Sequence, residues 1–300
     1  MKEKVKEHLE SSDVFSDPGF PLSVLKRDPQ IPFPKHTHDF SELVIIYEGE
    51  AVHFTEHEQY RVGCGDVFVL TGDRAHGYKN PENLKLYNIL YDEEMLTQAA
   101  SAFGDLYDIA GFHALFTWEP RLRSRHNFEN RLRLGRREMK PVLSAASELM
   151  SELTLRRPGY RSASTALLTK LFVGLSRSYD SSGSRSVKEL SRISILLSYL
   201  EEHTDRRIGI DELCEIGGMS ESSLLRLFRR NVGRPPLAYH NKLRLRTVCR
   251  LLEDSDMSIT EIAYECGFSD SNYLTRLFKK EAGVSPLKWR RSADGDRRYP

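Results

Sequence analysis

Two histidines and a glutamate, His36-x-His38-x-x-x-Glu42, carry the clearest binding chemistry in the N-terminal half of the chain. On a strand the side chains at i and i+2 point to one face, so His36 and His38 would present their imidazoles together. Imidazole with carboxylate suits zinc, iron, nickel or manganese. The same polar groups, converging in the mouth of a β-barrel, suit the hydroxyls of a sugar or related polyol. Straight strand would hold Glu42 about 20 Å from His36, so a shared site requires the chain to turn near Asp39. Three readings stay open here: a bound sugar, a metal that activates oxygen or water, and His and Glu side chains merely satisfied inside an empty barrel.

A second chemistry lies in the C-terminal third, which is internally duplicated. Leu213-Cys-Glu-Ile-Gly-Gly-Met-Ser220 matches Ile262-Ala-Tyr-Glu-Cys-Gly-Phe-Ser269 at an offset of 49, and Leu224-Leu-Arg-Leu-Phe-Arg-Arg230 matches Leu274-Thr-Arg-Leu-Phe-Lys-Lys280 at 50. Gly233/Gly283 and Pro236/Pro286 continue the second register. Each copy reads as helix, tight turn, helix. In the second, Ser258 and Glu261 form a capping box, Gly267 supplies the left-handed turn, and Phe268 plugs the angle between the helices. Ser269 is expected to cap the next helix, with Tyr273, Leu274, Leu277 and Phe278 as its apolar stripe. The opposite faces carry Ser222, Leu225, Arg226 and Arg230 in one copy and Ser271, Asn272, Thr275, Arg276 and Lys280 in the other. A helix-turn-helix lays its second helix in the major groove, where Arg pairs with guanine and Asn with adenine. Double-stranded DNA is therefore the expected partner. Leu237 to about Leu252 reads as a connecting helix of about 24 Å, a spacer that suits recognition helices about one DNA turn apart.

The elements that must position these residues follow from the patterning. From Pro32 to about Tyr91, strands such as Glu42-Leu-Val-Ile-Ile-Tyr-Glu and Asp66-Val-Phe-Val-Leu alternate with expected turns at Glu48-Gly49, Gly63-Cys-Gly65 and Gly72-Asp73, the pattern of a small barrel or sandwich. Val142, Leu143, Ala146, Leu149, Met150 and Leu153 fall at helical spacing, as do Ala166, Leu167, Lys170, Leu171, Gly174 and Leu175. Residues 102 to 134 read as mixed loop and helix, and Asp180-Ser-Ser-Gly-Ser-Arg-Ser186 as a linker. The expected fold is α+β in two domains. A β-barrel occupies 15–135, a helical dimerisation segment 136–180, a linker 181–189 and an all-α double helix-turn-helix 190–291.

Composition is consistent with this and removes several classes. At 39% hydrophobic and 29% charged residues the 300-residue chain has material for real cores, which excludes wholesale disorder or a collagen. No apolar run suits a signal peptide or a membrane span, so a cytosolic location without membrane contact is expected. Four cysteines without CxxC spacing argue against a disulfide framework or a cysteine zinc site. Residues 1 to 100 carry 10 Lys+Arg against 18 Asp+Glu, a balance of −8, whereas 206 to 300 carry 18 against 13, or +5. The basic end is the one suited to a polyanion.

Residues 190 to 291 resemble the double helix-turn-helix of the AraC family of bacterial transcription regulators, through Ile262-Ala-Tyr-Glu-Cys-Gly-Phe-Ser-Asp-Ser-Asn-Tyr-Leu-Thr-Arg-Leu-Phe-Lys-Lys280 and Gly283-Val-Ser-Pro286. The front half is similar to the rhamnose-responsive branch, through Phe33-Pro-Lys-His-Thr-His-Asp-Phe-Ser-Glu-Leu-Val-Ile-Ile46, Gly65-Asp-Val-Phe-Val69 and Asn83-Leu-Lys-Leu-Tyr-Asn-Ile-Leu-Tyr91. The spacing from His36 to Gly49, and Gly65 with His76-Gly-Tyr-Lys-Asn80, resembles the two cupin motifs. These resemblances imply a cupin-like sensor in a homodimeric, sugar-responsive regulator, an activator rather than an enzyme. They imply His36, His38, Glu42, His76, Tyr78 and Asn88 as effector-binding residues, and RNA polymerase as a partner of the second unit through Asp270. In metal-dependent cupins the residues matching His36, His38, Glu42 and His76 ligate one divalent metal, which makes such an ion the one cofactor to expect. The alternative is a metal-dependent cupin enzyme with an appended helical domain.

Overall fold

A computed structural model describes residues 7–55, 58–72, 74–92, 95, 106–123, 128 and 130–291. Two compact units divide the chain, Met1–Ser194 and Ile195–Pro300. The first is β-rich with covering helices and the second is all helical, the expected α+β organisation.

In the N-terminal unit the strands are β1 (Glu7–Leu9), β2 (Leu22–Arg27), β3 (Phe33–His38), β4 (Ser41–Thr55), β5 (Gln59–Gly63), β6 (Asp66–Leu70), β7 (His76–Tyr91) and β8 (Leu132–Arg133). The spine is the antiparallel ribbon of β4 and β7, paired from Ser41↔Tyr91 to Thr55↔His76. Along β4, residues 42–45 also pair with β6 and residues 50–54 with β5, while β7 also takes β2 and β3. Glu48-Gly49 is not a turn between strands, contrary to expectation. β4 runs straight through it, with register shifts between Ile46 and Val52. Gly49 adopts φ +73°, and a Cβ there would lie 2.2 Å from the carbonyl oxygen of Asn83, so glycine makes this bulge rather than a chain reversal. The Gly63-Cys-Gly65 turn is present. Asp73, of the expected Gly72-Asp73 turn, lies outside the described residues.

The runs Leu43-Val-Ile-Ile46 and Val67-Phe-Val-Leu70 are buried throughout, as apolar runs without alternation must be when both faces of a sheet are covered. Inside the roll Val44, Ile46, Val62, Phe68, Leu70, Tyr78, Leu86 and Phe128 form one cluster. Outside, Tyr91 meets Phe172, which also packs on Phe112 and Phe116. Phe172 belongs to α2 (Tyr160–Ser181), which packs on α1 (Arg136–Leu155). The helices at 136–180 are thus part of the N-terminal unit's own core. The apolar face of α2 consists of Leu168, Leu171, Phe172, Leu175 and Tyr179, whereas Ala166, Lys170 and Gly174, expected on it, are exposed. The period was legible; the bulkiest side chains set the phase.

Within 102–134, helical segments Ala110–Phe112, His113–Trp118 and Glu119–Leu122 follow one another, the middle one with π-type bonding. At their end lies a buried ion pair: Arg123 donates to both carboxylate oxygens of Glu119, at 3.0 and 2.5 Å, and to the carbonyl oxygen of Val69.

The expected linker 181–189 shrinks to 182–184, because α3 (Arg185–Glu202) is already helical. Val187, Leu190, Ile193, Leu196, Leu197 and Leu200, all buried, impose a helical period that outweighs the serine-rich start. Beyond it come α4 (Ile210–Gly217), α5 (Glu221–Asn231), α6 (Pro236–Asp254), α7 (Ile259–Glu265), α8 (Ser271–Ala282) and α9 (Pro286–Arg291). α6 is the connecting helix, three residues longer than expected. All four cysteines are free, and among the described residues no helix is long and apolar enough to cross a membrane.

Candidate functional site

The chain bends at Asp39-Phe40, between β3 and β4, and this is the turn that a shared His/Glu site requires. Glu42 returns beside His38, and β7 lies antiparallel to β3 with His76 opposite His36. Three strands thereby bring His36, His38, Glu42 and His76 together, all buried, with one ligand atom from each lying within 4.8 Å of the others. The Nε2 atoms of His38 and His76 each stand 3.6 Å from the same oxygen of Glu42.

Local backbone fixes the ring orientations. Nδ1 of His36 faces the carbonyl oxygen of Pro34 at 3.1 Å, that of His38 the carbonyl of Phe40 at 2.7 Å, and that of His76 the carbonyl of Arg74 at 3.0 Å. A carbonyl only accepts, so each Nδ1 donates and the lone pair of each neutral ring is on Nε2. Burial holds His36 below the usual imidazole range and pushes the pKa of His38 down to about 4.

The other two expected effector residues are placed differently. Tyr78 lies on β7 inside the apolar core, its hydroxyl buried without a partner, and burial raises its pKa well above the ordinary phenol value. Asn88 sits opposite Val44, ten residues farther along β7. Sequence reasoning missed His53, fully buried on β4, 5.6 Å from the His76 ring and 5.2 Å from that of Tyr78, with neither ring nitrogen hydrogen-bonded. It also missed where open space lies. A cavity of about 690 Å³ at the barrel mouth is lined by Thr37, His38, Asp39, Ser41, Thr71 and Arg74, among others. Of the six expected effector residues only His38 is on its wall. Val44, Ile46, Phe68 and Leu86 of the apolar cluster are buried and do not line this cavity.

In the C-terminal unit α5 and α8, the second helices of the two repeats, display the side chains that the repeat implied. Ser222, Arg226 and Arg230 are exposed on α5, Asn272, Arg276 and Lys280 on α8, and the two triads share an offset of 50 and one helix face each. Leu225 is 38% exposed beside Arg226. Ser271 and Thr275 are half-buried, and the Thr275 hydroxyl donates back to the Ser271 carbonyl at 2.8 Å, so they present less to a partner than expected. Tyr273 is exposed rather than in the stripe.

The capping differs from expectation. Asp270, not Ser269, caps α8: its carboxylate accepts from the backbone N–H of Asn272 at 2.8 Å and of Tyr273 at 3.2 Å. On α5, Ser220 holds the N-cap position without a side-chain capping bond, its hydroxyl turned to those of Ser222 and Ser223. The Ser258/Glu261 capping box of α7 is present. Arg244 on α6, also missed, is buried with its guanidinium 3.6 Å over the Phe268 ring and its Nε donating to the Cys266 carbonyl at 2.8 Å. Burial lowers its pKa to about 10.

Comparison with known proteins covers both halves. Residues 24–172 match the family described as AraC-like ligand binding domain, and residues 213–292 a helix-turn-helix domain. The chain is 31% identical to the HTH-type transcriptional activator RhaR of Cronobacter sakazakii, over 94% of this chain and 95% of that protein. To the HTH-type transcriptional activator RhaS of Escherichia coli it is 32% identical, over 96% and 98%. Among solved structures it is similar to the DNA-binding domain of AdpA in complex with a target DNA, at 30% identity, covering 33% of this chain and 89% of that one with a TM-score of 0.32.

Proposed function

This chain belongs to the AraC family of DNA-binding transcription regulators, and from that premise we propose that it activates transcription when a small sugar occupies its N-terminal unit. The chain is a regulator, and the reading as a metal-dependent cupin enzyme is set aside. Near full-length similarity to activators, spanning sensor and DNA-binding halves alike, is the observation that carries the proposal. The mouth cavity, rather than the deep interior, is the proposed effector pocket, since its size and its hydroxyl, carboxylate and guanidinium lining suit an oxygen-rich ligand.

On DNA the triads divide by chemistry. Arg226 and Arg276 lie mid-helix, where a bidentate contact to guanine contributes about 1–3 kcal/mol of discrimination. Arg230 and Lys280 lie near the helix ends and suit phosphates. Arg226→Ala and Arg276→Ala should each relax preference at one base pair, in different half-turns of the operator. Lys280→Ala should weaken all sequences alike and flatten the salt slope by about one unit. Footprinting and gel-shift titration check this; unchanged base preference in both arginine variants would remove the two helices from the major groove.

Contact with RNA polymerase through the second unit is part of the proposal. Asp270 would combine that contact with capping, so Asp270→Asn, which keeps a capping side chain, is the variant that separates the two roles. The working form is proposed as a cytosolic homodimer, joined through outer sides of α1 and α2 where Leu143, Met150, Leu167 and Val173 remain half-exposed. Sedimentation at micromolar concentration should give twice 34.5 kDa, and a strict monomer even on operator DNA would overturn this.

A further inference from the structure

We infer that the C-terminal unit carries a phosphate-binding pocket between α6 and the turn that precedes α8, built around Arg244. The pocket is separate from the effector pocket proposed above, and nothing in the sugar reading requires it. A cavity of about 350 Å³ opens there, lined by Arg207 from the segment before α4, by Asn241 and Arg244 from α6, and by Ser269 and Tyr273 from the turn and the first residues of α8, among others. Its wall carries two guanidinium groups and no carboxylate, in a chain whose Lys+Arg and Asp+Glu nearly balance at 44 against 43. A lining of that sign suits an anion.

Arg244 is the group that asks for one. It is 4% exposed, and the titratable groups that act on it are Cys266, Tyr273 and Arg207, none of them a carboxylate. Buried charges are normally paired. Of the five N–H donors of a guanidinium, Nε–H goes to the Cys266 carbonyl and one on Nη1 to Oδ1 of Asn241 at 3.2 Å, which leaves three without an acceptor among the described residues. Phe268 beneath the guanidinium plane holds the fork in place. Asn241 has given its oxygen to Arg244, so what remains for a ligand is its amide N–H₂. His240 adds no donor, because its Nε2 faces the His203 carbonyl at 2.8 Å.

The donors left over choose the class of anion. They come from three stretches of chain, through Arg207, Asn241 with Arg244, and the Ser269 hydroxyl. A planar carboxylate offers two oxygens in one plane, whereas the tetrahedral oxygens of a phosphate can accept from several directions, and the arginine fork matches phosphate bidentately. Leu237 and Tyr273, 36% and 42% exposed, also line the cavity and can cover the organic part of a phosphate ester. The same chemistry is offered by a free phosphate ester and by the backbone of bound DNA, since Ser269 stands two residues before α8 begins.

The test uses the full-length chain in chloride buffer at fixed ionic strength, titrated in a calorimeter with inorganic phosphate and with phenyl phosphate. Each should saturate one site per chain. Arg207→Gln should weaken both by at least about tenfold, the loss expected for one charged donor. Arg244→Lys keeps the charge but replaces the fork by a point donor and should weaken them likewise; if that variant fails to fold, Arg207→Gln decides. Arg185→Gln, which removes a charge from an exposed position of α3, should leave both affinities unchanged. Repeating the titration on protein saturated with operator duplex separates the two sources. Exclusion of phosphate from that complex, with a salt slope flattened by about one unit in Arg207→Gln, assigns the pocket to the DNA backbone. Equal binding to complex and free protein assigns it to a free ester. The first titration needs no DNA, so its outcome is independent of the operator reading. Absence of saturable binding of either probe below about 10 mM would overturn the inference, as would equal affinity in Arg207→Gln.

Discussion

Replacing Arg123 by alanine should destabilise the N-terminal unit by about 3–5 kcal/mol, the range for removing one partner of a buried ion pair. Arg123 is 6% exposed and Glu119 1%, so the variant strands a carboxylate that water cannot reach. It also removes a donor to the Val69 carbonyl and a cation over the rings of Phe68 and Phe128. Restoring charge balance should recover most of the loss. A Glu119→Leu/Arg123→Met double variant, which fills similar volume without charge, is expected within about 1–2 kcal/mol of the wild type. The chain has two tryptophans, Trp118 in this unit and Trp289 in the other. Urea titration followed by fluorescence in a Trp289→Phe background therefore reads the N-terminal unit alone. A loss under 1 kcal/mol for Arg123→Ala would mean that the pair is hydrated in solution.

Gly267→Ala should do comparable damage at the other end of the chain. Gly267 ends α7 in the left-handed region, φ +67°, and a Cβ there would lie 2.4 Å from the Cα of Arg206 and 2.5 Å from the carbonyl oxygen of Asp205. Strain and collision together should cost at least about 3 kcal/mol. The duplicated position supplies the control. Gly218 has φ +56° but nothing within 4 Å of an added Cβ, so Gly218→Ala should cost only about 1–2 kcal/mol. Trp289 packs in one cluster with Ile262, Ala263 and Phe268 and reports the melt in a Trp118→Phe background. Operator affinity should fall more steeply for Gly267→Ala than for Gly218→Ala; equal effects would mean that the Asp205–Arg206 backbone yields freely.

The contrast between those glycines marks how far local pattern reaches. Both left-handed turns are legible, because a repeat places glycine twice between helical periods. The backbone pressing on only one of them comes from elsewhere in the chain. The His/Glu site was legible for a related reason: a separation of about 20 Å on straight strand forces a turn near Asp39, and the bend is there. His53 was not legible. Counting in twos from Glu42 puts odd positions of β4 on the outer face, but the bulge around Gly49 reverses the parity, so His53 faces inward. The Glu119–Arg123 pair has the i, i+4 spacing of an ordinary exposed helix pair, and its burial follows from how the helical run meets β6. Ser269 and Asp270 are both capping residues by type. Choosing between them depends on which side chain reaches two amides, which is a matter of backbone angles rather than residue type. Arg244 reads as a polar position on an amphipathic helix and becomes buried only because Phe268 lies beneath it.

The unequal caps of α5 and α8 bear on how an operator would be sampled by two helices that read it as proposed. α8 begins with two amides held by the Asp270 carboxylate, whereas α5 begins with amides that the Ser220 side chain does not hold. The opening turn of α5 should fray more often, since a missing cap contributes about 1 kcal/mol to the end of a helix. Docking α5 then includes an ordering entropy that α8 has already met in the free protein. If both helices read DNA as proposed, α8 would be the stiff probe, discriminating between half-sites, and α5 the pliant one, settling onto degenerate sequence at lower gain, so that evolution of the operator should be freer on the side of α5.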